Sequence, residues 1–133
     1  MTSKVFVASL PTRFDAATGE HVPSLDLNPA TEHGELVILT KGPQATGEEL
    51  DKAMELVHAK VSLLDINHYD YDRGDCILMV GDPILNAVAV AAALEAGVDH
   101  RDVERPADLK DNPVTVLRWD RKQHKYDRVE IPA

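Results

Sequence analysis

One short stretch in the middle of the chain constrains the fold most: residues Cys76 to Val80 are apolar without interruption. Such a run is typical of a strand at the centre of a sheet that is covered on both faces. Gly81, Asp82 and Pro83 follow directly and predict a turn into a helix, with Asp82 as the N-cap and Pro83 at the first helical position. The sequence therefore predicts a strand–turn–helix unit of an α/β sheet.

The helix after this turn is unusually apolar. Ile84 to Leu94 carries one polar side chain, Asn86, and we expect Gly97 to end the helix. A helix that is apolar on nearly all sides is either sandwiched within the core or shared with a partner. A homo-oligomer formed through Ile84 to Leu94 is therefore one expectation. The segment is far shorter than the ~20 residues that span a bilayer, so no membrane partner is expected.

Further strands are predicted before this unit. Lys4 to Leu10 and Glu35 to Thr40 are apolar or alternating segments, each closed by a proline or glycine turn. Between them, Val22, Leu25 and Leu27 are expected to form a short extended piece that returns against the first strand. The sequence therefore predicts that at least two strands of the sheet precede the first helix.

A first helix is predicted from about Gly47 to Leu64, with Thr46 and Glu49 forming a capping box at its start. Apolar residues recur within it at steps of four and three, which predicts one buried stripe with charged side chains outside it. The members of this stripe are Leu50, Met54, Val57, Val61 and Leu64.

The C-terminal part contains two more strands. Val98 to Pro113 is charged and irregular, with a short helical turn expected near residues 107–110. After it, two strands are predicted, Val114 to Trp119 and Tyr126 to Ile131. A basic turn, Asp120 to Lys125, joins them. Strand–helix alternation favours parallel pairing with right-handed crossovers. The predicted fold is a single α/β domain over residues 1–133, with a small single-layer mixed sheet of about five strands, two main helices and a C-terminal antiparallel hairpin.

Charge and cysteine usage limit the classes of function. The net charge is −9, yet residues 114–133 hold five basic and three acidic side chains, which gives +2 there and −11 for the rest. An acidic protein of this kind is not built overall to coat nucleic acid or anionic membrane. The one cysteine, Cys76, cannot form an internal disulfide, so we expect a cytoplasmic protein with a buried and inert thiol.

The basic hairpin is the most suggestive candidate for partner binding. It combines the single tryptophan with a tyrosine and clustered cations, a mixture suited to an acidic protein surface or to nucleic acid. The alternative is that the tryptophan packs in the core while the charges are solvated and protect a strand edge from aggregation. The candidate partner-binding residues are Arg118, Trp119, Arg121, Lys122, Lys125 and Tyr126.

Two acidic features are weaker candidates for chemistry. Asp82 stands where a central strand meets a helix, which is where open α/β sheets place ligands, but its role as a cap explains it equally well. Asp70, Asp72 and Asp75 form an acidic cluster that begins like a calcium loop and then departs from the required pattern, so a solvated loop is the simpler interpretation. No confident metal site and no cofactor are predicted, because the scattered histidines form no local ligand pair and no nucleotide-binding motif is present.

A resemblance adds a biological context. Pro11 to Asp15, Asp26 to Ala30, Ile77 to Pro83 and Val116 to Arg121 together resemble small proteins encoded in tailed-bacteriophage genomes. The resemblance spans most of the chain and implies a small accessory protein expressed in a bacterial cytoplasm. It implies no reaction and no catalytic residue.

Three functions follow as hypotheses. The first is a non-enzymatic accessory protein that binds a macromolecular partner, a host protein above all. The second is a small metal- or nucleotide-dependent hydrolase that uses Asp82 at the strand-to-helix turn. The third is nucleic-acid binding through the basic hairpin of residues 118–128, which the overall negative charge disfavours.

Overall fold

The structure is a computed structural model that describes residues 3–44, 46–63, 74–100 and 114–131. Seven strands and two α-helices occupy these ranges. The strands are β1 (Lys4–Val7), β2 (Thr12–Asp15), β3 (Glu20–Pro23), β4 (Glu35–Ile38), β5 (Cys76–Leu78), β6 (Val114–Asp120) and β7 (Lys125–Ile131). The helices are α1 (Glu48–Val61) and α2 (Pro83–His100), and a 3₁₀ helix spans Asn28–His33.

The main sheet has five strands in the order β4-β1-β5-β6-β7, so β5 is central as its continuous apolar sequence predicts. β1 pairs in parallel with β4 and with β5, β5 pairs in parallel with β6, and β7 closes the sheet as the antiparallel partner of β6. The mixed sheet, the two main helices and the antiparallel C-terminal hairpin confirm the predicted fold class. Within the described residues, no helix has the length and apolar content needed to cross a bilayer.

Both faces of this sheet are covered, by different structures. α1 and α2 pack on one face, where Val57, Leu85 and Ala89 are completely buried with Ile77 of β5. The 3₁₀ helix and the loop before it cover the other face, where Leu27 and Ala30 pack with side chains of β1, β5, β6 and β7. α2 therefore packs against both the sheet and α1, while Ile84 at its start remains half exposed.

The segment between β1 and β4 differs from the prediction. Val22 does not return against β1, because β2 and β3 form a separate two-stranded antiparallel sheet in which Arg13 pairs with Val22. The turn of this hairpin is closed by Gly19, whose amide donates to the Asp15 carbonyl at 2.8 Å. Leu25 and Leu27 follow the hairpin outside any strand and lead into the 3₁₀ helix.

Two predicted helix ends are also wrong. The residue before α1 is Gly47, with φ 103°, and no side chain caps the helix, so Thr46 and Glu49 form no capping box. The cap position thus falls on Gly47, one residue after Thr46, and glycine has no side chain that could accept an amide there. Gly97 does not end α2, which continues to His100. One helical glycine costs about 1 kcal/mol, which a helix packed along its length can sustain.

Candidate functional site

The tip of the β6–β7 hairpin is a compact turn organised by one carboxylate. Asp120 Oδ1 accepts hydrogen bonds from the amides of Lys122 at 2.9 Å and Gln123 at 3.3 Å. These backbone donors stabilise the charged form, so the pKa of Asp120 is lowered. His124 completes the turn in the left-handed conformation, with φ 51°. The predicted basic turn is thus a defined structure that holds the neighbouring side chains in place.

An aromatic group lies directly beneath this turn. Trp119 and Tyr126 are cross-strand partners, and their rings meet edge to face with centroids 4.9 Å apart. The ring of His124 approaches the other side of the indole at 6.3 Å. Tyr126 is buried in the core and the pKa of its hydroxyl is raised by burial, whereas Trp119 keeps 39% of its surface exposed. Trp119 therefore packs against the edge of the core and remains partly exposed.

Four cations lie on the same hairpin as this exposed indole. Arg118, Arg121, Lys122 and Lys125 are all exposed. Lys125 Nζ lies 3.8 Å from Asp127, while the other three form no ion pair with any residue that the structure describes. The six predicted partner-binding residues lie at one end of the sheet but not on one face. Trp119 and the buried Tyr126 lie on the face that the 3₁₀ helix covers, whereas Arg118 and Lys125 lie on the face of α1 and α2, and Arg121 and Lys122 are in the turn. We call the exposed set the hairpin surface: Arg118, Trp119, Arg121, Lys122 and Lys125.

A second candidate site lies at the carboxyl ends of the parallel strands. The chain leaves β1 towards β4 on one side, and it leaves β5 towards β6 on the other. In open parallel sheets, ligands bind in the crevice created where successive connections diverge in this way. That crevice falls between the ends of β1 and β5. It holds an open pocket of about 350 Å³ with Ser9 after β1 and Asp82 after β5 among its lining residues.

The pocket brings together polar side chains from two connections, the one after β1 and the one after β5. Ser9, Thr12 and Asp82 line it, and the buried Thr12 Oγ1 has no hydrogen-bond partner among the residues that the structure describes. A neighbouring hollow of about 300 Å³ shares Thr12 and adds His21 and Lys41. Ser9, Thr12 and Lys41 were missed in the sequence. The available signal was Ser9, which follows the first strand as Asp82 follows the central one, but strand order is needed to bring the two together.

Asp82 has a defined structural role at this pocket. Its Oδ1 accepts the amide of Ile84 at 2.8 Å, and its carbonyl accepts the amide of Asn86 at 3.1 Å, which confirms it as the N-cap of α2. Asn86 is buried and its side-chain amide donates to the Val80 carbonyl at 2.9 Å. A carboxylate at a helix start takes the place where a bound phosphate would need donors. The geometry therefore favours a neutral or cationic ligand group beside Asp82.

The predicted acidic cluster is divided. Asp70 and Asp72 lie outside the described residues. Asp75 is not a solvated loop residue, because it is buried and its Oδ1 accepts the Lys4 amide at 2.8 Å, which ties the start of β5 to the start of β1. Within the described ranges, no three His, Cys, Asp or Glu side chains form a group that could hold a metal ion.

Cys76 is buried at the start of β5, next to Asp75. Burial raises the pKa of its thiol to about 11; the Arg128 guanidinium counteracts part of this rise, and the Asp75 carboxylate adds to it. A thiol in this state is not a nucleophile near neutral pH. The structure thus agrees with the prediction of an inert cysteine.

Comparison with known proteins gives one relation. A family model described as Phage Pam3 gp32-like protein matches residues 3–104, which is well over half of the chain. The matched range includes the pocket between β1 and β5 and ends before the β6–β7 hairpin. Neither a curated protein nor a solved structure matches.

Proposed function

This chain belongs to the Phage Pam3 gp32-like protein family, and on that premise we propose that it is a phage accessory protein that binds another protein rather than catalysing a reaction. The hairpin surface is the proposed binding site, and an acidic surface of a host protein is the proposed partner. Because the hairpin lies outside the range that matches the family, the proposal concerns this chain and not the family as a whole.

The observation that carries the proposal is the exposed Trp119. An indole that is 39% exposed on this hairpin presents a large apolar area that a partner can bury, and only two side-chain torsions must be ordered to do so. The ring of Tyr126 meets the indole edge to face with centroids 4.9 Å apart, a contact that favours this orientation of the indole. Tryptophan and arginine are the residues that most often dominate the energy of protein–protein contacts.

The charge distribution supports an acidic partner. Residues 114–133 carry +2, while the rest of the chain carries −11. Arg118, Arg121 and Lys122 have no ion pair within the described residues, so their charges are available to a partner. An acidic protein surface would be steered to the hairpin, whereas an extended nucleic acid would meet repulsion from the acidic remainder. This asymmetry favours a protein partner over nucleic acid.

A tagged pull-down from bacterial lysate, with and without nuclease and analysed by mass spectrometry, tests the proposal. We expect a stoichiometric host protein that survives nuclease treatment. The double variant Arg121→Glu and Lys122→Glu should lose this protein, because it presents negative charge to an acidic surface. A species retained only without nuclease would indicate nucleic-acid binding instead, and an empty eluate would refute the proposal.

The chain offers a matched aromatic control. Phe14 is 60% exposed on the β2–β3 hairpin and meets the ring of His21 at 5.6 Å, much as Trp119 meets His124. We expect Trp119→Ala to abolish capture and Phe14→Ala to leave it unchanged. Equal losses in both variants would show that capture reflects general stickiness of exposed aromatic rings and would contradict a specific hairpin site.

A second candidate function rests on the pocket between β1 and β5. We propose as the alternative a small metal- or nucleotide-dependent hydrolase in which Asp82 acts on a ligand held by Ser9 and Thr12. Supporting it is the position of Asp82 at the crevice between diverging connections. A divalent metal or a nucleotide should then raise the melting temperature. Asp82→Asn should remove this shift without unfolding the protein, because asparagine still caps a helix; no shift in the wild type would refute this alternative.

A further inference from the structure

The strand β4 forms one edge of the main sheet and carries little protection against pairing. Within the described residues it pairs with β1 alone, and Ile38 remains 39% exposed. From Leu36 to Leu39 the strand is entirely apolar. Proteins normally blunt an exposed edge with lysines, prolines or a bulge, because its unpaired backbone groups otherwise recruit another strand.

The backbone of β4 has groups that point away from the sheet. Glu35 and Leu39 donate their amides towards β1, to the carbonyls of Ser3 and Val7 at 2.9 Å each. Alternate residues of a strand direct their backbone groups to opposite sides, so Leu36 and Ile38 direct theirs outwards. Within the described residues, neither of these two amides has a backbone partner.

An apolar groove accompanies this edge on one face. It has a volume of about 270 Å³. Leu36 and Ile38 of β4 form one wall, and Pro23, Leu25 and Leu27 form the other. A strand added to β4 would cover part of this groove with its own alternate side chains.

The charges at the two ends of β4 indicate which kind of strand could pair with this edge. Glu35 stands at the start of β4 and Lys41 just beyond its end, both exposed and both without an ion pair in the described part of the chain. In an antiparallel pair related by a two-fold axis, the start of one strand meets the end of the other. The edge is thus complementary in charge to a second copy of itself.

We propose that two copies of this chain associate through β4, antiparallel and centred on Val37, so that their five-stranded sheets form one continuous sheet. This register pairs Leu36 with Ile38 of the second copy and uses the outward backbone groups of both residues. It also places Glu35 diagonally opposite Lys41 of the second copy, about 7–8 Å away along the ladder and within reach of long side chains. The two grooves then meet across the axis. The proposal is independent of the hairpin surface.

Size-exclusion chromatography with light scattering on the full chain tests this dimer. We expect a dimer for the wild type, and for Ile38→Lys a monomer or a dissociation constant raised at least about tenfold, because each introduced lysine then faces Leu36 of the second copy and the two lysines are diagonal neighbours across the two-fold axis. Circular dichroism should show that the variant is folded, since the side chain is already half exposed. A wild-type monomer at high micromolar concentration would overturn the proposal.

Two controls separate β4 from other surfaces. Val129→Lys introduces the same charge on the opposite edge strand, at a residue with 38% exposure, and should leave the dimer intact. Ile84→Lys places it on the exposed side of α2 and should also have no effect. If Ile84→Lys dissociates the dimer while Ile38→Lys does not, the interface lies on α2 and the β4 proposal is wrong.

The proposed charge pair is tested by reversal. Glu35→Lys and Lys41→Glu should each weaken the dimer, and the double variant should restore it because the pair is then reversed in sign. Additive weakening in the double variant would contradict the antiparallel register.

Discussion

The main sheet ends in β4 on one side and in β7 on the other, and the two edge strands differ in composition and in cover. β4 carries one charge, Glu35, at its start, whereas β7 carries Lys125, Asp127, Arg128 and Glu130 along its length. Charged side chains on an edge oppose the approach of another strand. The composition of β7 therefore fits a terminating edge, and that of β4 fits an edge that meets a further strand.

The two edges also differ in how the rest of the chain anchors them. Arg128 of β7 donates to the carbonyls of His33 at 3.3 Å and Gly74 at 3.4 Å, and His33 Nε2 donates to the Tyr126 carbonyl at 2.8 Å. β4 is held instead by its ladder with β1 and by Thr40, whose hydroxyl donates to the Ala8 carbonyl at 2.6 Å. Side chains thus anchor β7 to the segments that cover one face of the sheet.

The largest expected loss of stability comes from a substitution at the centre of the sheet, where the ends of β1 and β5 approach each other. Gly81 has φ 79°, and a Cβ there would lie 2.1 Å from the Ser9 carbonyl oxygen. Gly81→Ala should therefore reduce the free energy of unfolding by about 3 kcal/mol or more, through backbone strain and overlap. Chemical denaturation measures this loss. If the variant keeps wild-type stability, the close approach of the β1 and β5 ends is incorrect.

A smaller loss of stability, from a substitution in β7, should distinguish the two edge strands. Arg128→Met removes the donors to His33 and Gly74 while keeping most of the apolar stem, and should cost about 2 kcal/mol because the charged group makes several hydrogen bonds. Amide exchange should accelerate in β7 and in the 3₁₀ helix while remaining unchanged in β4. Equal acceleration in both edges would contradict separate anchoring.

The buried thiol of Cys76 in β5 should make the free energy of unfolding depend on pH. The pKa of Cys76 is about 11 in the folded protein and near 9 when unfolded, so the unfolded chain loses the thiol proton first. The stability from the neutral buried thiol is complete below pH 9 and is lost as the pH rises from 9 to 11, by about 1 kcal/mol at pH 10. Denaturation of the wild type and of Cys76→Val at pH 8 and pH 10 should show this extra loss in the wild type alone.

The smallest expected effect on stability is at the hairpin surface. Trp119→Ala should lower the free energy of unfolding by less than about 1 kcal/mol, because the indole covers Tyr126 but is itself outside the core. Thermal unfolding next to the binding experiment checks this. A loss of several kcal/mol would place Trp119 in the core and remove the basis for a partner site.

How far the sequence predicts this molecule depends on whether a feature is local. The uninterrupted run Cys76 to Val80 predicts a central strand, and Asp82 followed by Pro83 predicts the helix start, because both signals lie within a few neighbouring residues. The capping box failed since Gly47 takes the cap position that Thr46 suggests. The β2–β3 hairpin was missed because its strands are four residues long and half exposed.

The sites depend on long-range order that a sequence does not contain. Ser9 and Asp82 meet only because β1 and β5 are neighbours, and β4 is an edge only because β1 lies between it and β5. The hairpin surface could be predicted because its two strands are joined by a short turn, which fixes their pairing. Whether Trp119 is buried or exposed could not be predicted, because it depends on how much of β6 and β7 the 3₁₀ helix covers.

Hydrogen exchange followed by NMR at two protein concentrations tests the difference between the edges most directly. We predict that the amides of Leu36 and Ile38 exchange more slowly as the concentration rises, because a second copy protects them. The amides of β7 that face away from β6 should exchange at a rate independent of concentration. Fast, concentration-independent exchange at Leu36 and Ile38 would contradict the account, since both edges would then be free in solution.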